Sequence, residues 1–586
     1  MQFARSVLLT VSALIPASAA LTVEQRLHDF QQLAAAYNKN YVPANWKIEA
    51  VGVNLFDLRP WNERARAAKN DLEYLDVCVK YVASLQDGHS SFRMGSAFQI
   101  YLLIFVDLYD GKFLIESVDR RLYPEARFPF GIGDELVSID GRTAMDVARE
   151  VNLNANYANA RANLRLAANY LLFRPQSVFP LAPLAAETVT IEVRRAETGA
   201  VESYTIPWTR VNDAVLEIPA LPNLSVSSNG PETPDVPEAR IESAVVQIER
   251  RQVRDGDLER AAFIGQGART PYYALPTGFT RRRGTGADVT FSGVYQSNGS
   301  RIGLIRIPSW SQGTAAAKNA LFREIEGEVA FMQTNTDGLV VDVTRNDGGT
   351  CSGDTLSRFM RERIKVYQTL YLPTSGLIRS YESLLRSATL FSEPWVVETY
   401  RFMLTAIQDA AKGTRSLTGP LPVCESFELT SGAVFARVDE YPPYRDSTGQ
   451  LAGYSKPMIV LADDLSFSQA EHFPAMFQDA KRGPVVGVRT AGLGGSVVGS
   501  TGPVYGEGTI RYTNGLTVRN STVSAPGLPS APYIENFGVI PDIPLDSMTR
   551  ENLLNGFRPF VEGFTAIMVD QIRRATPTNP ETGTPN

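Results

Sequence analysis

A chain of 586 residues, 44% of them hydrophobic and 20% charged, has the material for several buried cores and excludes a disordered or fibrous protein; length alone suggests about three to five domains. A formal net charge of −6 is small for this size and gives no ground for expecting nucleic acid or an anionic membrane as partner. Three cysteines (Cys78, Cys351, Cys424) exclude a disulfide framework while leaving one bridge open, and three histidines (His28, His89, His472) without zinc spacing leave no metal or cofactor to expect.

The chain opens with a processing signal. Arg5 precedes an apolar stretch from Val7 to Ile15, and small residues follow at Ala17 to Ala20. That order predicts a cleaved signal peptide over 1–20. The apolar stretch is too short for a membrane span, no later stretch approaches one, and the polar ending PTNPETGTPN does not suit a glycolipid anchor. A secreted or lumenal protein is expected, and the sequons at Asn223, Asn298 and Asn520 agree with that route.

Residues 21–95 read as helical, with apolar positions at helical spacing in TVEQRLHDFQQLAAAYNKNYV and again in WNERARAAKNDLEYLDVCVKYVASL. His28 lies in the first stretch as a surface or boundary residue. From 96 to 212 the pattern turns to alternating strands, and GIGDELVSIDGRTAMDVAREV predicts a turn, a strand, an Asp-Gly turn and a short helix. Residues 213–285, rich in Pro, Ser and Asn at their start, read as a linker or insertion. The clusters Arg250-Arg251 and Arg281-Arg282-Arg283 read there as solvated charge, with processing sites the alternative. Strands alternate with helices over 286–570, predicting an α/β domain with largely parallel strands, and 571–586 is a polar tail.

Four short stretches carry chemistry. LQDGHSSF places His89 in a polar turn after a helix. VVDVTRNDGGT ends a buried strand in Gly348-Gly349; paired glycines there make a turn, or let backbone N–H groups approach a reacting carbonyl. In MIVLADDLSFSQAEHF a buried strand runs into a helix at Ser468. Its spacing to Glu471 is that of a capping box, yet a serine at a helix N-terminus also faces donors that favour developing negative charge. YIENFGVIPDIPL sets Glu535 ahead of Gly538 and Pro541-Asp542.

In this order the four stretches resemble the S41 serine peptidases. The resemblance implies a ClpP/crotonase-like α/β core and covers most of the chain after the signal. The stretch 131–151 is similar to the carboxylate-side half of a PDZ domain, an insertion common in that family. Where the C-terminal-processing branch has its basic lysine, 25 residues after the nucleophile, this chain has Leu493, and Lys481 falls near the far end of the helix. The positions of His89 and Glu535 instead resemble the tricorn-like and chlamydial (CPAF-like) Ser–His–Glu branch, in a secreted fungal type with a PDZ-like insertion.

The resemblance implies Ser468 as nucleophile, His89 as general base and Glu535 as its orienting partner. The N–H groups of Gln469 and of Gly348 or Gly349 are implied as the oxyanion hole. His472, four residues after Ser468, competes as base but has no matching acidic partner. The expected function is a secreted serine endopeptidase acting on protein or peptide through an acyl-enzyme. The alternatives are a catalytically silent binding protein on the same fold and a peptide-processing enzyme of narrow specificity. Segment 213–285 is also read as a cover for the site until cut. The oligomeric state stays open, a homodimer included.

Overall fold

A computed structural model describes residues 20–218 except 158, and residues 266–575 except 312–314, 350–351, 392–393, 414–416, 423–426, 430–434 and 438–439. Its centre is a seven-stranded sheet in the order Thr280–Arg283, Phe291–Ser297, Ser300–Arg306, Gly338–Asp342, Met458–Ala462, Val485–Gly487, Ile543–Pro544. The first three strands run antiparallel and the rest parallel. Parallel strands are buried on both faces and read as unbroken apolar runs, as Leu339-Val340-Val341 and Met458-Ile459-Val460-Leu461 do. Alternate residues then face opposite layers. Leu339, Val341, Met458 and Val460 pack with helices Ala315–Asn335 and Gln469–Asp479. Val340, Ile459 and Leu461 pack on Phe560, Phe564 and Met568 of helix Arg558–Ala575.

A second six-stranded sheet is organised by the long strand Thr509–Val523, which pairs with Ser91–Arg93, Gln368–Tyr371, Gly495–Thr501 and Ala531–Tyr533. Through it the N-terminal helical segment joins the α/β core. That segment has four helices, Val23–Asn40, Ala44–Val51, Arg59–Ala67 and Asp71–Ala83. The predicted second helix is broken because Asn70 caps a new one, its Oδ1 accepting from Glu73 N at 2.9 Å. His28 is exposed, as expected.

The β-rich domain has strands Ile104–Tyr109, Lys112–Val118, Glu135–Ile139, Thr188–Arg194 and Val201–Pro207 around helices Ala144–Val151 and Ala160–Leu171. The Asp-Gly turn has positive φ at Asp140 and Gly141.

Two boundaries differ from the sequence reading. Thr280–Arg283 is the edge strand of the central sheet, so the α/β domain begins before residue 286. Arg282 and Arg283 are not loose loop charge, since both bond the buried Glu328. At the other end helix Arg558–Ala575 runs past 570 into the expected tail. The signal peptide, Asn223, Arg250-Arg251 and most of the expected linker lie outside the described residues. Cys78 is a buried free thiol, and Cys351 and Cys424 also lie outside. Asn298 is exposed in a tight Asn-Gly turn and Asn520 is exposed on the long strand. No helix among the described residues is long and apolar enough to cross a membrane.

Candidate active site

The strand Met458–Ala462 turns into helix Gln469–Asp479 at Ser468, whose backbone sits at φ 54°, ψ −118°. Such a conformation is strained for any residue with a Cβ, and strain of this kind clusters at functional sites. The capping-box pairing is present. Ser468 N–H donates to Glu471 Oε2 at 3.2 Å, and Glu471 N–H donates to the Ser468 backbone carbonyl at 2.8 Å.

Glu471 also ties the turn to a neighbouring loop. Its carboxylate accepts from Thr490 Oγ1 (2.6 Å), Gly492 N (2.7 Å) and Leu493 N (2.7 Å).

The strand Gly338–Asp342 delivers Gly348-Gly349 against this turn. A Cβ on Gly348 would lie 2.8 Å from Ser468 Cβ and 2.8 Å from the Phe467 carbonyl oxygen, so only glycine fits. Gly348 N–H is spent on Asn346 Oδ1 at 2.8 Å. That bond closes an Asx turn at the strand end, and Gln469 N–H lies at the start of the helix. The Gln469 side chain accepts from Ser352 N and Oγ at 3.0 and 2.9 Å, fixing the helix start.

His89 sits in the turn just before the strand Ser91–Arg93. Asp87 closes its turn, Oδ1 accepting from His89 N (2.9 Å) and Oδ2 from Ser90 Oγ (3.1 Å) and Thr513 Oγ1 (2.7 Å). Two residues after His89, Ser91 starts the strand that pairs with the long strand, Ser91 opposite Arg511. Gly88 packs so closely on Leu493 and Tyr157 that a Cβ would come within 2.7 and 2.3 Å of them. Leu493, in place of a lysine, is thus apolar packing under the His89 turn, and Lys481 is exposed beyond the far end of the helix.

The Glu535 carboxylate is fully buried beside this turn. Lys47 Nζ donates to its Oε1 at 2.5 Å and Gly494 N–H to its Oε2 at 3.0 Å. Burial, with Asp87 nearby, pushes the Glu535 carboxyl up to about 8 against the pull of Lys47 and Gly494. Burial also acts to raise Asp87, but Lys47, His89 and the Thr513 hydroxyl bring it below its ordinary value. His472 is buried against the Tyr367 ring, and burial with His89 close by pushes it down to about 3, which makes it a poor proton acceptor.

Lys47 had no place in the sequence reading, and Asp87 entered it only as part of the Asp87-Gly88-His89 turn. Asp87 was findable, because an aspartate three residues before a serine in a turn is an Asx-type closure. Lys47 carried no local signal.

The site is also joined to the β-rich domain. Arg165, fully buried, bonds Asp107 within that domain (Nη2–Oδ2 2.7 Å) and Asp464, four residues before Ser468. Arg161 reaches Asp464 at 2.8 Å and Asp546 at 2.6 Å.

Residues 301–545 match Peptidase family S41, and residues 99–218 match a PDZ domain. The chain carries an S41 peptidase domain with a PDZ domain ahead of it. By this match it is a serine peptidase. A Chlamydia trachomatis serovar D protein is 21% identical over 598 residues, covering 92% of this chain and 92% of the relative. A Chlamydia pneumoniae protein is 22% identical, covering 96% and 93%. In fold the chain is similar to mature CPAF, solved in complex with lactacystin. That likeness has a TM-score of 0.72 at 19% identity, covering 94% of this chain and 99% of CPAF.

Proposed function

We propose that the protein is a secreted serine endopeptidase with Ser468 as nucleophile, His89 as general base and Glu535 as the acidic partner. The observation that carries the reading is the strained Ser468 turn lying directly against the Gly348-Gly349 strand end.

In the reaction, Ser468 Oγ attacks the peptide carbonyl carbon while its proton passes to His89. The carbonyl oxygen, now negative, is met by Gln469 N–H and Gly349 N–H, donors of a kind worth about 3–4 kcal/mol each where one has been removed. The C–N bond breaks as His89 returns the proton to the leaving amine, giving an ester on Ser468. Water, deprotonated by His89, then attacks the ester and releases the carboxylate. Glu535 in its ionised form stabilises the His89 imidazolium.

The PDZ domain, fixed to the Asp464 loop through Arg165, suits a protein or peptide substrate, and no nucleic-acid role is proposed. Cleavage of the first 20 residues on secretion, with glycans at Asn223, Asn298 and Asn520, belongs to the same reading.

A fluorophosphonate probe tests it. The secreted protein should label at Ser468, and labelling should be lost in Ser468→Ala and His89→Ala variants that remain folded. A folded wild type that does not label, with or without trimming of 213–285, refutes the activity. N-terminal sequencing of the secreted chain tests the signal cleavage.

A further inference from the structure

Lys47 lies on the short helix Ala44–Val51, whose buried residues are Trp46 and Lys47. Its side chain is wholly buried, and its three protons meet three acceptors: the Gln86 carbonyl at 2.8 Å, Glu535 Oε1 at 2.5 Å and Asn536 Oδ1 at 2.9 Å. Taking an ammonium out of water costs several kcal/mol unless pairing and hydrogen bonding are complete, and here they are. The acceptors come from two distant segments. Gln86 is in the turn that ends in His89, with its own φ at 50°; Glu535 and Asn536 follow the strand Ala531–Tyr533. Trp46 adds to the same junction, its Nε1 donating to Asn536 Oδ1 at 3.0 Å while its ring stacks on Phe537 at 5.5 Å.

We infer that Lys47 is a positioning residue for this hydrolysis: its ammonium clamps the Glu535 carboxylate to the turn that bears His89, and supplies positive charge that favours the ionised form of Glu535 when His89 takes the serine proton. The inference rests on the Ser468–His89–Glu535 reading. Lys47 is not itself the base, because each of its protons is committed to an acceptor.

The other titratable or charged groups facing the clamp are Asp87 and His89 from the turn, and Tyr37 and Tyr41 from the first helix and its end. His472, on the nucleophile helix, lies close to His89, and Arg489 reaches Asn536 from the loop after Val485–Gly487. The Arg489 guanidinium is spent on the carbonyls of Asn536 and Phe537. Both tyrosines are neutral phenols, held well above their ordinary range by burial. Without Lys47, therefore, Asp87 and Glu535 face each other with no cation bonded between them, and Glu535 takes up a proton.

The test is the fluorophosphonate labelling rate of the full chain from pH 6 to pH 10, for wild type, Lys47→Arg and Lys47→Met, with His89→Ala alongside. Lys47→Met should lose at least about 10-fold at pH 7 and recover toward pH 10, its rising limb moved up by about one pH unit or more. Lys47→Arg should keep the wild-type limb with a smaller loss. If Lys47→Met does not fold, the pair Lys47→Met/Glu535→Gln removes the unbalanced charge and should label slowly with no limb near pH 8.

Wild-type rate and profile in Lys47→Met overturn the inference. So does an equal loss at every pH in both single variants, or a limb near pH 8 that survives in the double variant. Labelling of His89→Ala at the wild-type rate overturns the Ser–His reading and this inference with it, whatever Lys47→Met does.

Discussion

Gly348→Ala is the sharpest test of how the nucleophile is held. Gly348 has φ 83°, and an added Cβ would stand 2.8 Å from both the Phe467 carbonyl oxygen and Ser468 Cβ, and 3.2 Å from Gln469 N. A non-glycine residue at this φ costs about 1–2 kcal/mol, and overpacking in a filled interior adds about 1–3 kcal/mol. The expected destabilisation is therefore about 2–5 kcal/mol. Relief of the contact needs Ser468 to move by about half an ångström or more, and displacement on this scale costs roughly 100-fold in rate. Because Gly348 N–H is held by Asn346 Oδ1, the substitution removes no free donor. The loss should therefore come through the displaced serine. Thermal unfolding and fluorophosphonate labelling of the folded variant measure the two effects. Wild-type stability together with a wild-type labelling rate would refute the close packing on which the site is built.

Three further outcomes follow from the same geometry. Ser468→Gly should be more stable than Ser468→Ala by about 1 kcal/mol, since glycine alone accepts φ 54° without strain and both variants lack the serine hydroxyl; chemical denaturation of the pair checks it. Glu535, raised to about 8, binds its proton more tightly folded than unfolded, so its contribution to stability is complete below about pH 4.5 and is lost as pH rises through 8. Labelling needs the ionised form and should climb over the upper part of that range, and Glu535→Gln should abolish both trends in paired melting and labelling series. Arg165→Met should cost about 3–5 kcal/mol by stranding the buried Asp107 without its cation and leaving Asp464 to Arg161 alone, read as a drop in melting temperature. A change of less than 1 °C would show that the junction with the PDZ domain carries no load.

Much of the α/β domain was legible because its cues are local. The runs at 338–342 and 458–462 are apolar without interruption, as strands buried on both faces must be, and Ser468 stands where strand period gives way to helix period. The meeting of His89 with the core was not legible. It depends on three residues, Ser91–Arg93, adding to an edge of a sheet whose other strands lie far along the chain. Register across such distances leaves no periodic trace. Lys47 escaped for a related reason: a lysine between a tryptophan and an isoleucine looks like the wet side of an amphipathic helix, and only its tertiary partners make it a buried cation. The reading of Arg282 and Arg283 failed because charge was weighed without Glu328, which lies on the next helix and pairs with both.

The strand pairing between Ser91–Arg93 and Thr509–Val523 has a consequence for when the chain becomes dangerous to its maker. Synthesis runs from the N-terminus, so His89 is made early and Ser468 late, yet the turn that bears His89 cannot be set in register until the long strand has also emerged. A ribosome that stalls anywhere before residue 509 releases a chain with its hydrolytic parts unassembled. On the proposed Ser468–His89–Glu535 reading, activity is in this sense a test of completeness: a chain cut short before the long strand and Glu535 should be inert, and the peptidase acts only once nearly all of it has been made.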